Sequence, residues 1–187
     1  MISIEHISFS YGEKKVFEDF SLDIKNGDRI CLFGESGCGK TTLLRIIAGL
    51  SVPDGGTVKR AEGFRPSEVF QDNLLLPFKT VLRNITLTGS DKTTALAHLA
   101  ALGIDGCADK YPSELSGGMQ RRAAIARALS AEYSCLLLDE PFAGLDAQNI
   151  SSAAAHISES LGDRTLVLVT HDKPEAEMLG CRIVEIS

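Results

Sequence analysis

At 187 residues the chain has the length of one domain, and its 44% apolar and 24% charged residues are ordinary for a soluble globular protein. A net charge of −6 argues against a nucleic-acid partner, which needs a basic face. Five cysteines without a C-x-x-C pair fit free thiols; no run nears the ~18 apolar residues of a membrane span, and Met1–Glu5 shows no signal-peptide pattern, so a cytosolic chain is expected.

The first expected elements form a β-layer. Ile2, Ile4 and Ile7 alternate with polar residues, Tyr11-Gly12 turns the chain, and Phe17, Phe20, Leu22 and Ile24 alternate again. Tyr11 sits at the tip of this layer and, from position alone, reads as a core tyrosine. Lys14-Lys15 is too short to be a basic patch, and so is Arg121-Arg122 further on; both read as solvated surface.

Asn26-Gly27-Asp28 then turns the chain into Arg29–Phe33, a nearly continuous apolar run of the kind a buried parallel strand needs. Behind it, Gly34-Glu35-Ser36-Gly37-Cys38-Gly39-Lys40-Thr41 fills every fixed position of G-x-x-x-x-G-K-[ST], and Thr42 to Gly49 reads as a helix. The chemistry needs this layout. Glycines let backbone N–H groups converge on phosphate oxygens, and the helix N-terminus adds partial positive charge. Lys40 can reach the β- and γ-phosphates, and the Thr41 hydroxyl can ligate Mg²⁺. Nucleotide binding follows from this stretch alone. Cys38 lies inside the loop, either as a small residue that fits or as a thiol activated by the helix end.

Short strands are expected at Thr57–Lys59 and Ser67–Phe70, ending at Gln71. Residues 73–125 read as a small helical subdomain inserted into a core made of 1–72 and 126–187. Its clearest helix is Ala95–Leu102, stopped by Gly103, with His98 as a helix-face residue. The apolar run Leu74, Leu75, Leu76 and Phe78 contains Pro77, so it is expected to be a bent loop that cannot bury every side chain. Ser116 can cap a helix running to about Ser130, and Gly117-Gly118 leaves amides bare at its start, which suits an anion as well as a plain cap. Cys135–Asp139 is an apolar strand ending in the adjacent carboxylates Asp139 and Glu140. In an open parallel sheet it shares its carboxyl edge with the phosphate loop, so Asp139 can complete the Mg²⁺ site and Glu140 can take a proton from water. Thr165–Thr170 is one more buried strand, with His171 at the same edge; a short helix near Glu175–Leu179 and a strand at Arg182–Ile186 end the chain.

Together these residues resemble the nucleotide-binding subunit of ATP-binding cassette (ABC) transporters over almost the whole chain. Leu115-Ser116-Gly117-Gly118 is similar to that family's signature, Gln71 to its Q-loop residue, Ala143–Asp146 to its D-loop and His171 to its switch histidine. The resemblance implies an α/β fold: a P-loop NTPase core with a mostly parallel sheet, an N-terminal antiparallel β-layer and the helical insertion. It reassigns Tyr11 to stacking on adenine. It implies ATP and Mg²⁺ held by Gly34–Thr42, a metal set of Thr41, Gln71 and Asp139, and catalysis by Glu140, His171 and Gln71. Ser116, Gly117 and Gly118 would close the ATP site of a second cassette, most simply a copy of this chain. Met119 and Ala143 depart from the commoner glutamine and serine, and Ala143 removes a hydroxyl contact across the dimer.

The run from Phe70 to Val81 resembles the nitrate, sulfonate and taurine branch of bacterial importers. That branch implies integral membrane permease subunits, an extracytoplasmic solute-binding protein, and a place on the inner face of the membrane. An exporter, a lipoprotein- or peptide-release complex and a soluble non-transport cassette protein are the competing expectations. A regulator without hydrolysis is disfavoured by Glu140 and His171.

Overall fold

A computed structural model describes residues 1–186. Strands β1 (Ile2–Tyr11), β2 (Lys14–Ile24) and β4 (Gly55–Arg60) form an antiparallel sheet with β1 in the middle. The alternation of β1 skips one residue between Ile4 and Ile7, where a bulge places His6 at φ 53°. That extra residue keeps Ile2, Ile4, Ile7 and Phe9 on one buried face. His6 Nδ1 lies 2.6 Å from Asp19 Oδ1, the matching left-handed residue of β2.

The second sheet is parallel, in the order β5 (Pro66–Val69), β6 (Cys135–Asp139), β7 (Thr165–Val169), β3 (Arg29–Phe33), β8 (Arg182–Glu185). Its central strands are buried on both faces, and their side chains alternate between two cores. Ile30, Leu32, Leu137 and Val167 pack with the β-layer and helix α1 (Lys40–Ala48). Leu136, Leu138, Leu166 and Leu168 pack with the helices of the other face. Those helices are α2 (Val81–Thr86), α3 (Lys92–Ala101), α4 (Gly117–Ser130), α5 (Ala147–Leu161) and α6 (Lys173–Met178).

Residues 73–125, the segment expected as a helical insertion, carry α2, α3 and the start of α4. The insertion has no separate core: Val81, Ile85, Ala95 and Leu99 belong to the same buried cluster as Leu136 and Leu138. His98 is more than a helix-face residue. Its Nδ1 lies 2.8 Å from Nε2 of His156, joining α3 to α5, and burial lowers the pKa of both rings. The expected thiols are all free, with Cys31 and Cys135 pushed up by burial to about 11 and about 12; no helix among the described residues is long and apolar enough to cross a membrane.

The loop before α2 is held from beneath. Asn84, 2% exposed, accepts a hydrogen bond from Leu76 N and donates to the carbonyls of Leu76, Lys79 and Thr80. Arg127 donates to the carbonyls of Asn73 and Leu74. With the backbone fixed, only Leu75 turns into the core, while Leu74, Leu76 and Phe78 stay exposed at 60%, 48% and 88%. Asn84→Ala removes four bonds and leaves the loop's polar groups to find water. It is expected to lower stability by about 1–3 kcal/mol in urea titration, and an unchanged midpoint would show that Asn84 does not hold the loop.

Candidate functional site

The phosphate loop is shaped by two glycines that other residues could not replace. Gly39 precedes α1 at φ 101°, and an added Cβ there would lie 2.5 Å from Val16 Cγ1 and 2.7 Å from Phe17 Cζ. At Gly34 a Cβ would lie 2.2 Å from the Ile186 carbonyl oxygen. The loop is therefore pressed between the β-layer and the end of β8. Lys40 Nζ donates to the carbonyls of Gly34 and Glu35, both at 2.8 Å, which sets its ammonium inside the loop.

A cleft of about 360 Å³ opens over the loop, bordered by Tyr11, Ser36, Gly37, Gly39, Lys40, Thr41, Thr42, Gln71, Asp139 and Glu140. Seven of those ten residues come from the loop, the first turn of α1 and the β-layer tip; the end of β6 and the loops after β5 and β6 supply the other three. Tyr11 is half exposed, with its hydroxyl 3.3 Å from Thr42 Oγ1, so it is not a core tyrosine. Gly34, Glu35 and Cys38 instead border a separate groove with Phe33, Glu185 and Ile186. Cys38 Sγ, 3.8 Å from Lys40 Nζ, thus belongs to the side of the loop facing β8.

Asp139 is buried at the end of β6, and its Oδ2 accepts a 2.7 Å hydrogen bond from Thr41 Oγ1. Burial raises its pKa; the Thr41 bond works the other way, and the neighbouring Glu140 charge adds to the rise. Glu140 follows at φ 49°, a left-handed backbone uncommon outside glycine. That turn sends its carboxylate to His171, whose Nδ1 lies 3.0 and 3.1 Å from the two oxygens. His171 stands on the loop after β7, so the three expected catalytic and metal residues of β6 and β7 do meet at one sheet edge.

Ser116, Gly117 and Gly118 lie elsewhere. The Ser116 hydroxyl caps α4 by accepting from Met119 N at 3.3 Å. With Gly117 and Gly118 it borders a second cleft, about 550 Å³, together with Ala143–Asp146, Arg121 and Arg122. Gln71 borders both clefts.

The sequence reading of Arg121-Arg122 as solvated surface is overturned. Arg121 is 2% exposed, and its guanidinium donates to the carbonyls of Phe70, Gln71, Asp139 and Glu140 and to Asn73 Oδ1. Arg122 is half-buried, reaching Leu102 O and Asn149 Oδ1, each at 3.0 Å. One signal could have shown this. Residues 123–126 and 128–129 are apolar around the whole helix, and a helix apolar on all sides is buried.

Residues 17–143 match the protein family described as ABC transporter. The chain belongs to that family. It is 42% identical, over 98% of its length and 75% of the relative's, to an aliphatic sulfonates import ATP-binding protein of Paraburkholderia xenovorans. A protein of the same description from Nocardia farcinica is also 42% identical, over 98% of this chain and 76% of the relative. The sulfate/thiosulfate import ATP-binding protein of Pseudomonas aeruginosa is 39% identical over 98% of this chain and 63% of its own length. Among solved structures, the dimeric bacterial ABC transporter cassette MJ0796 is similar at TM-score 0.90 and 29% identity, covering 100% of this chain and 94% of that one. The same cassette in a post-hydrolysis state bound to ADP and Pi is similar at TM-score 0.89. The α/β cassette expected from the motifs is thereby borne out.

The Glu140 contact raises the pKa of His171 above its ordinary 6.5, through the hydrogen bond first and the carboxylate charge second. A raised histidine pKa means that the charged pair is formed at low pH and is lost as pH rises through the raised value. The His171 side chain is 82% exposed, so solvent screening keeps its contribution to stability small. NMR titration of the ring is expected to show a midpoint above 6.5 that returns to the ordinary value in Glu140→Gln. Equal midpoints in both proteins would show that the pair does not form in solution.

Proposed function

We propose that this chain is the ATP-hydrolysing subunit of an importer, working as a pair of cassettes that close on two ATP molecules. The observation that carries the reading is the separation of the two clefts. The phosphate loop, Asp139 and Glu140 line one, while Ser116, Gly117 and Gly118 line the other. One ATP reaches both sets when the signature comes from a second chain, and the dimeric cassette of the same fold supports that arrangement.

In this reading the adenine stacks on the half-exposed ring of Tyr11. Lys40 and the loop amides hold the β- and γ-phosphates, with the partner chain's Ser116 and glycine amides on their far side. Thr41, Asp139 and Gln71 offer Mg²⁺ a set of hard oxygen donors. The fit rests on Asp139, whose buried carboxylate takes part in no ion pair among the described residues and accepts a hydrogen bond there only from the Thr41 hydroxyl. With one carboxylate in the set, nucleotide phosphates complete the coordination, and the bound ion would neutralise charge on the β- and γ-oxygens. Glu140 accepts the proton of the attacking water as that oxygen bonds to the γ-phosphorus. The bond to the β,γ-bridging oxygen then breaks, giving ADP and phosphate. His171, released from Glu140, orients the water and the γ-phosphate. Catalysis is mainly positioning and charge neutralisation.

The transported solute is proposed to be a small oxyanion of the sulfonate type, as the relatives' names and the Phe70–Val81 run support. The partners then include permease subunits in the membrane and an extracytoplasmic solute-binding protein, with the cassette on the cytoplasmic face. The docking place is the exposed run Leu74, Leu76 and Phe78, where apolar side chains stand on a fixed backbone beside Gln71.

Two experiments test this. Glu140→Gln keeps the side chain's size and loses the proton acceptor, so ATP binding should persist while turnover falls by roughly 10²–10⁴-fold. Near-normal steady-state hydrolysis would remove Glu140 as the base. Phe78→Ala should leave the melting temperature and basal hydrolysis of the isolated chain nearly unchanged while preventing assembly with the permease. A large loss of stability with assembly intact would place the docking surface elsewhere.

A further inference from the structure

Arg121 of α4 reaches the two loops that leave the adjacent strands β5 and β6 at the nucleotide cleft. Its Nη1 donates to the carbonyls of Phe70 and Gln71, the latter at 3.1 Å, and to Asn73 Oδ1 at 3.2 Å. Its Nη2 donates to the carbonyl of Asp139 at 2.9 Å and to that of Glu140. No carboxylate oxygen accepts any of these bonds, so the guanidinium is used for its geometry. Nη1 and Nη2 project in fixed directions from one plane, and each serves a different loop. A lysine ammonium, a single point on a flexible stem, cannot hold both at once.

One of the residues that Arg121 holds has a left-handed backbone. Glu140 keeps φ at 49° while its N–H donates to the Val169 carbonyl at 2.9 Å and its own carbonyl accepts from Arg121. Backbone in that region persists only where surrounding contacts determine it. Arg121 therefore sets the direction in which the Glu140 carboxylate leaves the sheet. The same side chain sits on the helix that begins with Gly117 and is capped by Ser116, five residues before it.

We propose that Arg121 is a positioning residue for hydrolysis, fixing the backbones of Gln71 and Glu140 to each other and to the signature helix. The proposal rests on the reading of Glu140 as the base. Closure of a partner cassette on Ser116 would then be felt at Glu140 through one rigid side chain. A purely structural arginine would also be buried and bonded to carbonyls, so stability alone does not separate the two roles.

The separating measurement is a double-substitution cycle read by single-turnover hydrolysis at saturating ATP, with ATP affinity measured alongside. Arg121→Gln is expected to bind ATP within about threefold of the natural protein and to hydrolyse it at least ~10-fold more slowly. In a Glu140→Gln background the same substitution should slow the residual reaction less than about twofold, because the group it positions is already gone; effects of residues acting as a unit are non-additive. Arg121→Lys keeps the charge and loses the fork, so it should resemble Arg121→Gln, and it replaces that variant in the cycle if the glutamine chain does not fold. Equal fold-losses in both backgrounds, or full rescue by lysine, would overturn the proposal. If Glu140→Gln alone hydrolyses ATP normally, the reading of the base fails first, a result visible in that single variant without reference to Arg121.

Discussion

Strand β7 lies between the strand that feeds the phosphate loop and the strand that ends in Asp139 and Glu140, and the site depends on that order. Because all three run parallel, their carboxyl ends lie along one edge, and whatever follows each strand is delivered to the same place. Thr41 and Asp139, far apart in the chain, come within 2.7 Å. His171, on the loop after the middle strand, meets Glu140 from β6. The backbone pairing thus does most of the assembly before any side-chain specificity is needed. The strands can hold this order because they are buried on both faces and split their side chains between two cores.

Much of this was legible from residue patterns. Apolar runs such as Cys135–Asp139 and Thr165–Val169 can satisfy two packed faces only inside a parallel sheet, and the phosphate-loop spacing needs a strand before it and a helix after it. The bent apolar loop at Leu74–Phe78 was legible too, because Pro77 rules out a continuous helix. Contacts between distant residues were not legible. Nothing local to His98 marks His156 as its partner, and the bulge at His6 needs Asp19 on another strand to be understood. Arg121 was misread because a pair of arginines after a polar cap looks like surface. All but one of its bonds go to backbone carbonyls, which leave no trace in the sequence.

The cleft geometry also changes the meaning of the loop itself. Cys38 and Glu35 fall inside the nucleotide-binding motif yet border the groove against β8. Their backbones can still contribute amides to a phosphate, while the residues themselves border the groove shared with Glu185 and Ile186. Motif membership and the cleft that a residue borders are separate questions.

The central claim is that one complete ATP site needs two chains. Sedimentation of Glu140→Gln tests it most directly, because slowed hydrolysis leaves the ATP-bound state in place. The account requires a monomer without nucleotide and a dimer holding two ATP with it. Adding Ser116→Arg should abolish the dimer while each chain still binds ATP at its own phosphate loop. A chain that stays monomeric at saturating ATP, or a Ser116→Arg protein that dimerises equally well, would contradict it.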